Sequence, residues 1–503
     1  MRYIKSLTIV LGVAVAASCT KLEEVQRDTV NFQKATSSGL LQGAYNTLNG
    51  LQTQDLIWAL EEHSSDEALG PTRGPDWDDN GVWRVIHSHQ WDADHSVVRN
   101  SFNSLLTAQF SATAVLEQSP TAQEAAEARF IRALSMFLVL DLYDQVPYRE
   151  DLKDLKALPT TLKGTAAADK IISELNAIIN DLPNNTNIIK ANKDAARVLL
   201  MKTFLNKGTY ANRAAPSFPA GDMDQVIALA DQIINNTSKY SLADNFFTNF
   251  APNNSSASKE LIYALENTVG VRGGNNRFHW FCTLHYNQRP SGWNGFTTLA
   301  DFYDKFEAGD KRRNAAYPGV TDVTGLRVGM LVGQQFDEKG TELKDRKGNN
   351  LAFTRAVALK ETGNNLEITG IRVVKYPPDF AQGIDGNAEN EYVIFRLADV
   401  MLMKAEALFR KGSTAQALTI VNDLRAKRGA TALTSLTAQS LLDERGREMY
   451  WEGWRRNDLV RFGKFLDPVG PTRSTKSGTE RLIFPIPNQQ LAVNPNLQQN
   501  PGY

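Results

Sequence analysis

Cysteine is almost missing from this chain of 503 residues, which has only Cys19 and Cys282. If the first is used elsewhere no internal disulfide can form, so the fold must rest on burial alone. Charge of one sign is missing as well: 55 Lys and Arg against 56 Asp and Glu leave a net charge of -1, which excludes generic affinity for nucleic acid or acidic membranes. No apolar run reaches membrane-spanning length, since the longest, about Leu7 to Ala17, is too short for a transmembrane helix. A phosphate-cradling glycine loop, a Gly-x-Ser-x-Gly elbow and an HExxH helix are all absent. The 42% hydrophobic and 22% charged content is ordinary for one large core or two modest ones.

The N-terminus carries an address. Arg2 and Lys5 precede the apolar run, and Ala16-Ala17-Ser18-Cys19 places small residues before a cysteine, the pattern of a bacterial secretory signal over residues 1–18. The same four residues resemble a lipobox, which makes Cys19 the lipidated first residue of the mature protein. Residues 19–35, opening with Thr20-Lys21-Leu22-Glu23-Glu24, then read as a tether.

Helical periodicity dominates from Ser37 onward. Leu40, Leu41, Ala44, Tyr45 and Leu48 form a first stripe, and helices follow near 95–118 and 122–143, the latter stopped by Pro147. Three-four spacing continues through Ile171 to Leu182, Ala195 to Asn206 and Met223 to Ile234. Helix pairs thus recur every 30 to 45 residues or so, and Ala133-x3-Phe137 and Ala405-x3-Phe409 have the spacing of a tetratricopeptide second helix. Residues 36–238 therefore read as an N-terminal helical scaffold and 391–503 as a C-terminal one. Between them, over 239–390, periodicity fades into Gly, Asn, Pro and aromatics, with strand-like runs at 261–265, 278–284 and 371–376.

Leu441 to Gly463 is nearly half charged yet holds Trp451 and Trp454, which reads as a helix whose charges are wedged against an aromatic core. Its helical spacing predicts the pairs Glu444–Arg447, Arg445–Glu448, Glu452–Arg456 and Arg455–Asp458.

Two loops carry candidate site residues. The 62–96 loop contains Trp77, Trp83 and Trp91 among Asp66, Arg73, Asp76 and Asp78; the later lobe offers Trp280 and Trp293 beside Asn287, Arg289 and Asn294. Sugars present apolar C–H faces rimmed by hydroxyls, so a site for them needs flat aromatic platforms beside planar hydrogen-bonding side chains. Trp77, Trp83 and Trp293, flanked by glycine and polar residues, are the preferred platforms, Trp280 a further candidate, and Asp66, Arg73 and Asn294 the polar partners. Trp91, beside the next helix, reads as a packing plug. The mixture of Asp66, Asp76, Asp78 and Asp79 with Arg73 and Arg84 shows no cationic excess and points to a neutral ligand. His87-x-His89 with Asp92, Asp94 and His95 does not complete a zinc ligand set, and Cys282 in an apolar run reads as a small buried hydrophobe; no catalytic residue, metal or cofactor is assigned.

Three stretches resemble one family, in that family's order: FRLADVMLMKAEAL at 395–408 with VNDLR at 421–425, GREMYWEGWRRNDLVRFG at 446–463, and the ending FPIP at 484–487 with NPNLQQNPGY at 494–503. All are similar to the SusD/RagB outer-membrane nutrient-binding lipoproteins of Bacteroidota. The resemblance implies a mainly α fold, a tetratricopeptide-like helix-pair scaffold bearing an irregular loop-rich lobe with a few short strands. It also implies a surface lipoprotein, anchored to the outer membrane through Cys19, that captures a glycan and delivers it to a SusC-type TonB-dependent transporter without catalysis. Two other readings stay open on the residues alone: a surface glycoside hydrolase, because a carboxylate pair is a spatial property, and a structural adaptor for protein or peptide whose tryptophans merely pack.

Overall fold

The computed structural model describes residues 35–184, 187–274, 276–382 and 387–503, and Thr36–Tyr503 form one unit. The signal segment and Cys19 lie outside the described residues. The N-terminal frame comprises α1 (Ser37–Thr47), α2 (Ile57–His63), α3 (Val82–His87), α4 (Ser96–Leu116), α5 (Ala122–Tyr143), α6 (Gly164–Ile178), α7 (Lys193–Ala211) and α8 (Ala220–Ile234). Local chemistry sets the ends. Thr121 and Glu124 close a reciprocal capping box on α5, Asn192 accepts from the Ala195 N–H at the start of α7, and Asp144 ends α5 in the left-handed conformation at φ 65°. Helix α7 runs further than its apolar stripe because it also buries Lys202, Thr203, Asn206 and Thr209, polar residues that break the pattern.

Successive helices pack side by side in an unbroken series: α1 on α4, then α4 on α5, α5 on α6, α6 on α7 and α7 on α8. The series then crosses some 160 residues of sequence. Its next member after α8 is α12 (Leu397–Arg410), followed by α13 (Thr414–Lys427), so the helix-pair frame is interrupted in sequence and continuous in space. No helix among the described residues is long and apolar enough to cross a membrane.

The intervening lobe holds three single-turn helices, α9 (Asn254–Ala257), α10 (Ala300–Tyr303) and α11 (Thr321–Thr324), and short strands. Leu261–Leu265, on the way into the lobe, pairs antiparallel with Tyr392–Arg396, on the way out. Arg372–Val374, Val328–Leu331 and Asn314–Ala315 form a three-stranded sheet, and Gly333–Gln334 pairs with Ala352–Phe353. The strand expected at 278–284 is not formed. Its amides turn back on local carbonyls, with Cys282 N donating to Arg277 O at 2.7 Å and Leu284 N to Trp280 O at 2.8 Å, and Cys282 is buried in this compact turn, where burial pushes its thiol up.

The segment 441–463 is also not one helix. It divides into α14 (Ala438–Met449) and α15 (Arg455–Arg461), with Trp451 at φ 59° and Gly453 at φ 76° in the break. Two buried carboxylates take the amides this exposes: Trp451 N donates to Glu67 at 3.0 Å and Gly453 N to Glu62 at 2.6 Å. Of the four local ion pairs expected, only Glu444–Arg447 (2.7 Å) is made. Arg445 turns to Asp399 and Asp458, Glu452 to Lys375 and Arg396, and Arg455 to Asp66. A buried guanidinium needs several acceptors and helical spacing supplies one, so distant carboxylates win.

The result is a buried charge network that joins the lobe to the C-terminal helices. Its six cations, Arg312, Lys375, Arg396, Arg425, Arg428 and Arg447, meet six carboxylates, Glu260, Glu307, Asp310, Glu444, Glu448 and Glu452. All but the half-buried Glu307 are buried, and the equal count is what makes their desolvation bearable. Even so, burial drags the Lys375 ammonium down to about 8, despite Glu452 at 2.5 Å.

Candidate functional site

The two aromatic loops of the sequence meet. Leu69 and Thr297 exchange backbone hydrogen bonds, and Thr72–Arg73 pairs in parallel with Lys360–Glu361, so the 62–96 segment lies along the lobe. Arg73-Gly74-Pro75-Asp76 closes a tight turn through reciprocal Arg73–Asp76 bonds, and the following Trp77 takes φ 61°. That turn delivers the Trp77 indole to Trp293: Trp77 Nε1 donates to the Trp293 carbonyl at 2.9 Å and the ring centroids stand 6.2 Å apart. Both rings are half-buried. Phe281 packs on Trp293 at 4.6 Å and the Arg277 guanidinium lies over it at 4.9 Å.

Beside the indoles stands Tyr286, also half-buried. Its hydroxyl donates to Asp76 at 3.0 Å, and Arg346 covers its ring at 3.9 Å while forking to Glu367 at 2.6 Å. His285 reaches the other oxygen of Glu367 at 2.8 Å. Trp293 and Trp77 thus adjoin and Tyr286 joins them through Asp76, the residue before Trp77, in a partly exposed aromatic row edged by a carboxylate and guanidinium already satisfied by each other.

Of the other expected site residues, Arg73 and Asn294 hold this row in place, whereas Asp66 is spent on Arg455. Arg73 is buried and donates to the carbonyls of Asn294 (2.5 Å), Gly295 (2.6 Å) and Thr369 (2.7 Å). Asn294 is buried at φ 57°, its Oδ1 taken by Arg372 and its Nδ2 by the Glu367 carbonyl. Burial pushes the Arg73 guanidinium down to about 10, partly offset by Glu361, and lowers Arg372 further with Arg73 as neighbour. Asp66 forks to Arg455 at 2.7 and 2.9 Å, and that pairing overcomes the upward push of burial to leave its carboxyl below the usual range.

Two expected platforms are corrected. Trp83 falls on α3, not in a loop, and is only 6% exposed, with Nε1 on Asp79 at 2.8 Å and its face against Phe296; Trp280 is fully buried. Neither presents a face to a ligand. Glycine flanks Trp83 at Gly81, but that glycine serves the left-handed cap of α3. Trp91 is buried as a plug, its Nε1 donating to the Tyr503 hydroxyl at 2.7 Å. His87 and His89 are buried on protein partners: His87 on Thr472, His63 and Ala68, His89 on Ser64, Ser477 and Arg473. Sequence reasoning missed Tyr286, Phe281 and Arg346. The first two lie inside the aromatic stretch already singled out, whereas Arg346 arrives from a hairpin 60 residues on, with no sequence signal.

Comparison with known proteins gives a consistent picture. The SusD family model matches residues 259–503. Over 94% of its length the chain is 25% identical to the starch-binding protein SusD of Bacteroides thetaiotaomicron, covering 87% of that protein. Over residues 259–503 this chain belongs to the SusD family. Among solved structures, a SusD superfamily protein from Parabacteroides distasonis superposes with a TM-score of 0.72 at 17% identity, covering 93% of this chain and 98% of that one. Surface glycan-binding protein A from Bacteroides thetaiotaomicron, solved with laminarihexaose, superposes at 0.68 with 15% identity over 92% and 98%. The SusD fold thus accounts for both the helix-pair frame and the irregular lobe.

Proposed function

We propose that this SusD-family protein is a cell-surface glycan-binding lipoprotein that captures an oligosaccharide or polysaccharide and hands it to a SusC-type TonB-dependent outer-membrane transporter, with no catalysis of its own. The observation that carries the reading is the row Trp293, Trp77 and Tyr286: three partly exposed aromatic rings, Trp293 and Trp77 6.2 Å apart and Tyr286 tied to the neighbouring Asp76, of the kind that the C–H faces of sugars cover. Two relatives support the class of ligand, one described as starch-binding and one solved with a laminarin hexasaccharide.

A neutral glycan fits best. Around the row, Arg346 is matched by Glu367 and Asp76, and the buried Arg73 and Arg372 face Glu361, so among the described residues Arg277 over Trp293 is the one guanidinium of these left without a carboxylate. The polar edge is left to read hydroxyl positions. Lipidation of Cys19 holds the protein at the outer membrane, facing the exterior, where several acyl chains on one residue anchor stably and a single chain does not. Binding is tighter in the complex with the transporter than to the isolated protein, because the glycan then touches both partners.

The test is affinity electrophoresis of the soluble form beginning at Thr20 against a panel of neutral polysaccharides, with wild type beside Trp293→Ala. Retardation by one polysaccharide, lost in the variant, supports the reading; reducing-sugar release by the purified protein, or retardation unchanged in the variant, overturns it.

A further inference from the structure

A second concave site lies in the lobe, away from the aromatic row. It is a cleft of about 270 Å³ beside the Val328–Leu331 strand, and its walls include Tyr303, Arg313, Arg327, Gln334, Gln335 and Phe336. It shares no lining residue with the row and is linked to it through the 333–353 hairpin, whose far part carries Arg346, and through the Arg372–Val374 strand, whose Arg372 holds Asn294.

The charges of the cleft set it apart from the rest of the molecule. Elsewhere, most buried guanidiniums are forked to carboxylates. Here Arg313, half-buried, lies 4.5 Å from the Tyr303 ring centroid and makes no ion pair and no side-chain hydrogen bond among the described residues. Arg327 is exposed, and its side chain bonds only to the amide oxygen of Asn314. No carboxylate lines the cleft. Of the acids close by in sequence, Asp304 pairs with Arg355 at 2.5 Å, Asp310 with Arg312 at 2.7 Å, and Asp337 accepts from the backbone amides of Lys339 and Thr341. Stacking on Tyr303 holds the Arg313 plane while leaving its N–H edge unspent, the arrangement that favours bidentate capture of a planar or tetrahedral oxyanion.

The neutral walls specify more than an anion. Phe336 is 44% exposed, an apolar face of the kind a sugar ring covers, and Gln334 and Gln335 bring primary amides that can meet hydroxyls. At 270 Å³ the volume sits at the small end of ligand sites, roughly 300 Å³, so it suits one sugar residue rather than a chain. We infer that this cleft is a second saccharide site that takes an acidic sugar residue, its carboxylate or sulfate ester held by Arg313 and Arg327 and its ring on Phe336. The protein would then read two features of a glycan at once, a neutral stretch on the row and an acidic substituent in the cleft.

The experiment is calorimetric titration of the soluble protein with tetragalacturonate, a sulfated galactose tetrasaccharide, the unsubstituted galactose tetrasaccharide and inorganic phosphate. Expected are binding of at least one acidic tetrasaccharide, weakening with salt, and a loss of about tenfold or more in Arg313→Gln and in Arg327→Gln, as loss of one charge-assisted hydrogen bond gives. Trp293→Ala leaves this binding unchanged, which separates the cleft from the row. Arg327 is exposed, so its variant carries the test if Arg313→Gln misfolds. The inference is overturned by no binding of either acidic tetrasaccharide, by undiminished binding in both arginine variants, or by phosphate binding as tightly as the sugars.

Discussion

Gly295 lies directly against Trp77: a Cβ added at position 295 would stand 2.2 Å from the indole carbons and 2.8 Å from the Cys282 carbonyl. The aromatic row depends on that missing side chain. Gly295→Ala is expected to expel Trp77 from its place beside Trp293, costing about 1–3 kcal/mol of stability as overpacking does. Glycan retardation should fall by about tenfold, with a shift in tryptophan fluorescence. Retardation equal to wild type would remove Trp77 from the site.

Trp293 and Trp83 separate binding from packing. Trp293→Ala should abolish glycan binding with a smaller change in urea midpoint than Trp83→Ala, because its ring is only partly buried. Trp83→Ala should cost about 3–5 kcal/mol, the range for a buried large aromatic, and any binding loss should track unfolding. A Trp83 variant that stays stable yet cannot bind would contradict the buried role given to it.

Arg396 bridges Glu260 (3.3 Å), Glu448 (2.6 Å) and Glu452 (2.7 Å) with no exposed atoms. Arg396→Met leaves three carboxylates sharing fewer cations, and a loss of about 3–5 kcal/mol is expected by chemical denaturation. A loss under about 1 kcal/mol would mean the network is screened by water.

Stability should fall towards acid and towards alkali for different reasons. Burial pushes the Glu444 carboxyl up, but Arg312, Arg447 and Arg425 pull it down from 4.5 to about 2. A depressed folded-state value gives stability that is present above the unfolded value and lost as pH falls from about 4.5 to about 2, on the order of 3 kcal/mol for this group. Glu391 is opposite: burial raises it to about 8, opposed by its bond from Asn267 N. Its protonated form favours the fold below pH 4.5, and that contribution is lost as pH rises to about 8. Glu391→Gln, which keeps an acceptor for Asn267, should flatten the decline between about pH 4.5 and 8 and leave the limb below 4.5 unchanged. Equal slopes over that window in variant and wild type would contradict this.

The helices were legible because their signal is local. Residues 122–143 show their apolar face, their Thr121 cap and their Pro147 stop within one window, and α5 forms there. The 441–463 stretch shows where local reading ends. Its composition disclosed a buried charge cluster, while the partners Asp66, Lys375, Arg396 and Asp399 come from sites 46 to 389 residues distant, so neither the pairs nor the break at Trp451 could be read from spacing. The site divides in the same way. The two loops were recognisable from their tryptophans, but whether a ring faces solvent is decided by Phe296, Gly70 and Gly295, which approach from elsewhere. Trp77 and Trp83, six residues apart in sequence, therefore end in different environments.

The paired strands Leu261–Leu265 and Tyr392–Arg396 have a consequence for how such a chain can diversify. The lobe begins and ends on one ladder, and α8 already touches α12 beneath it, so the frame sees the lobe only as a closed excursion. Lengthening such an excursion is cheap, about 0.6 kcal/mol for each doubling. What must be conserved within it is a handful of anchors, chiefly Asp310, Arg312 and Lys375. Phe278 and Phe296, stacked on Trp58, are further such anchors, and the exposed loops between them can be rewritten for a different ligand while the helices keep their register.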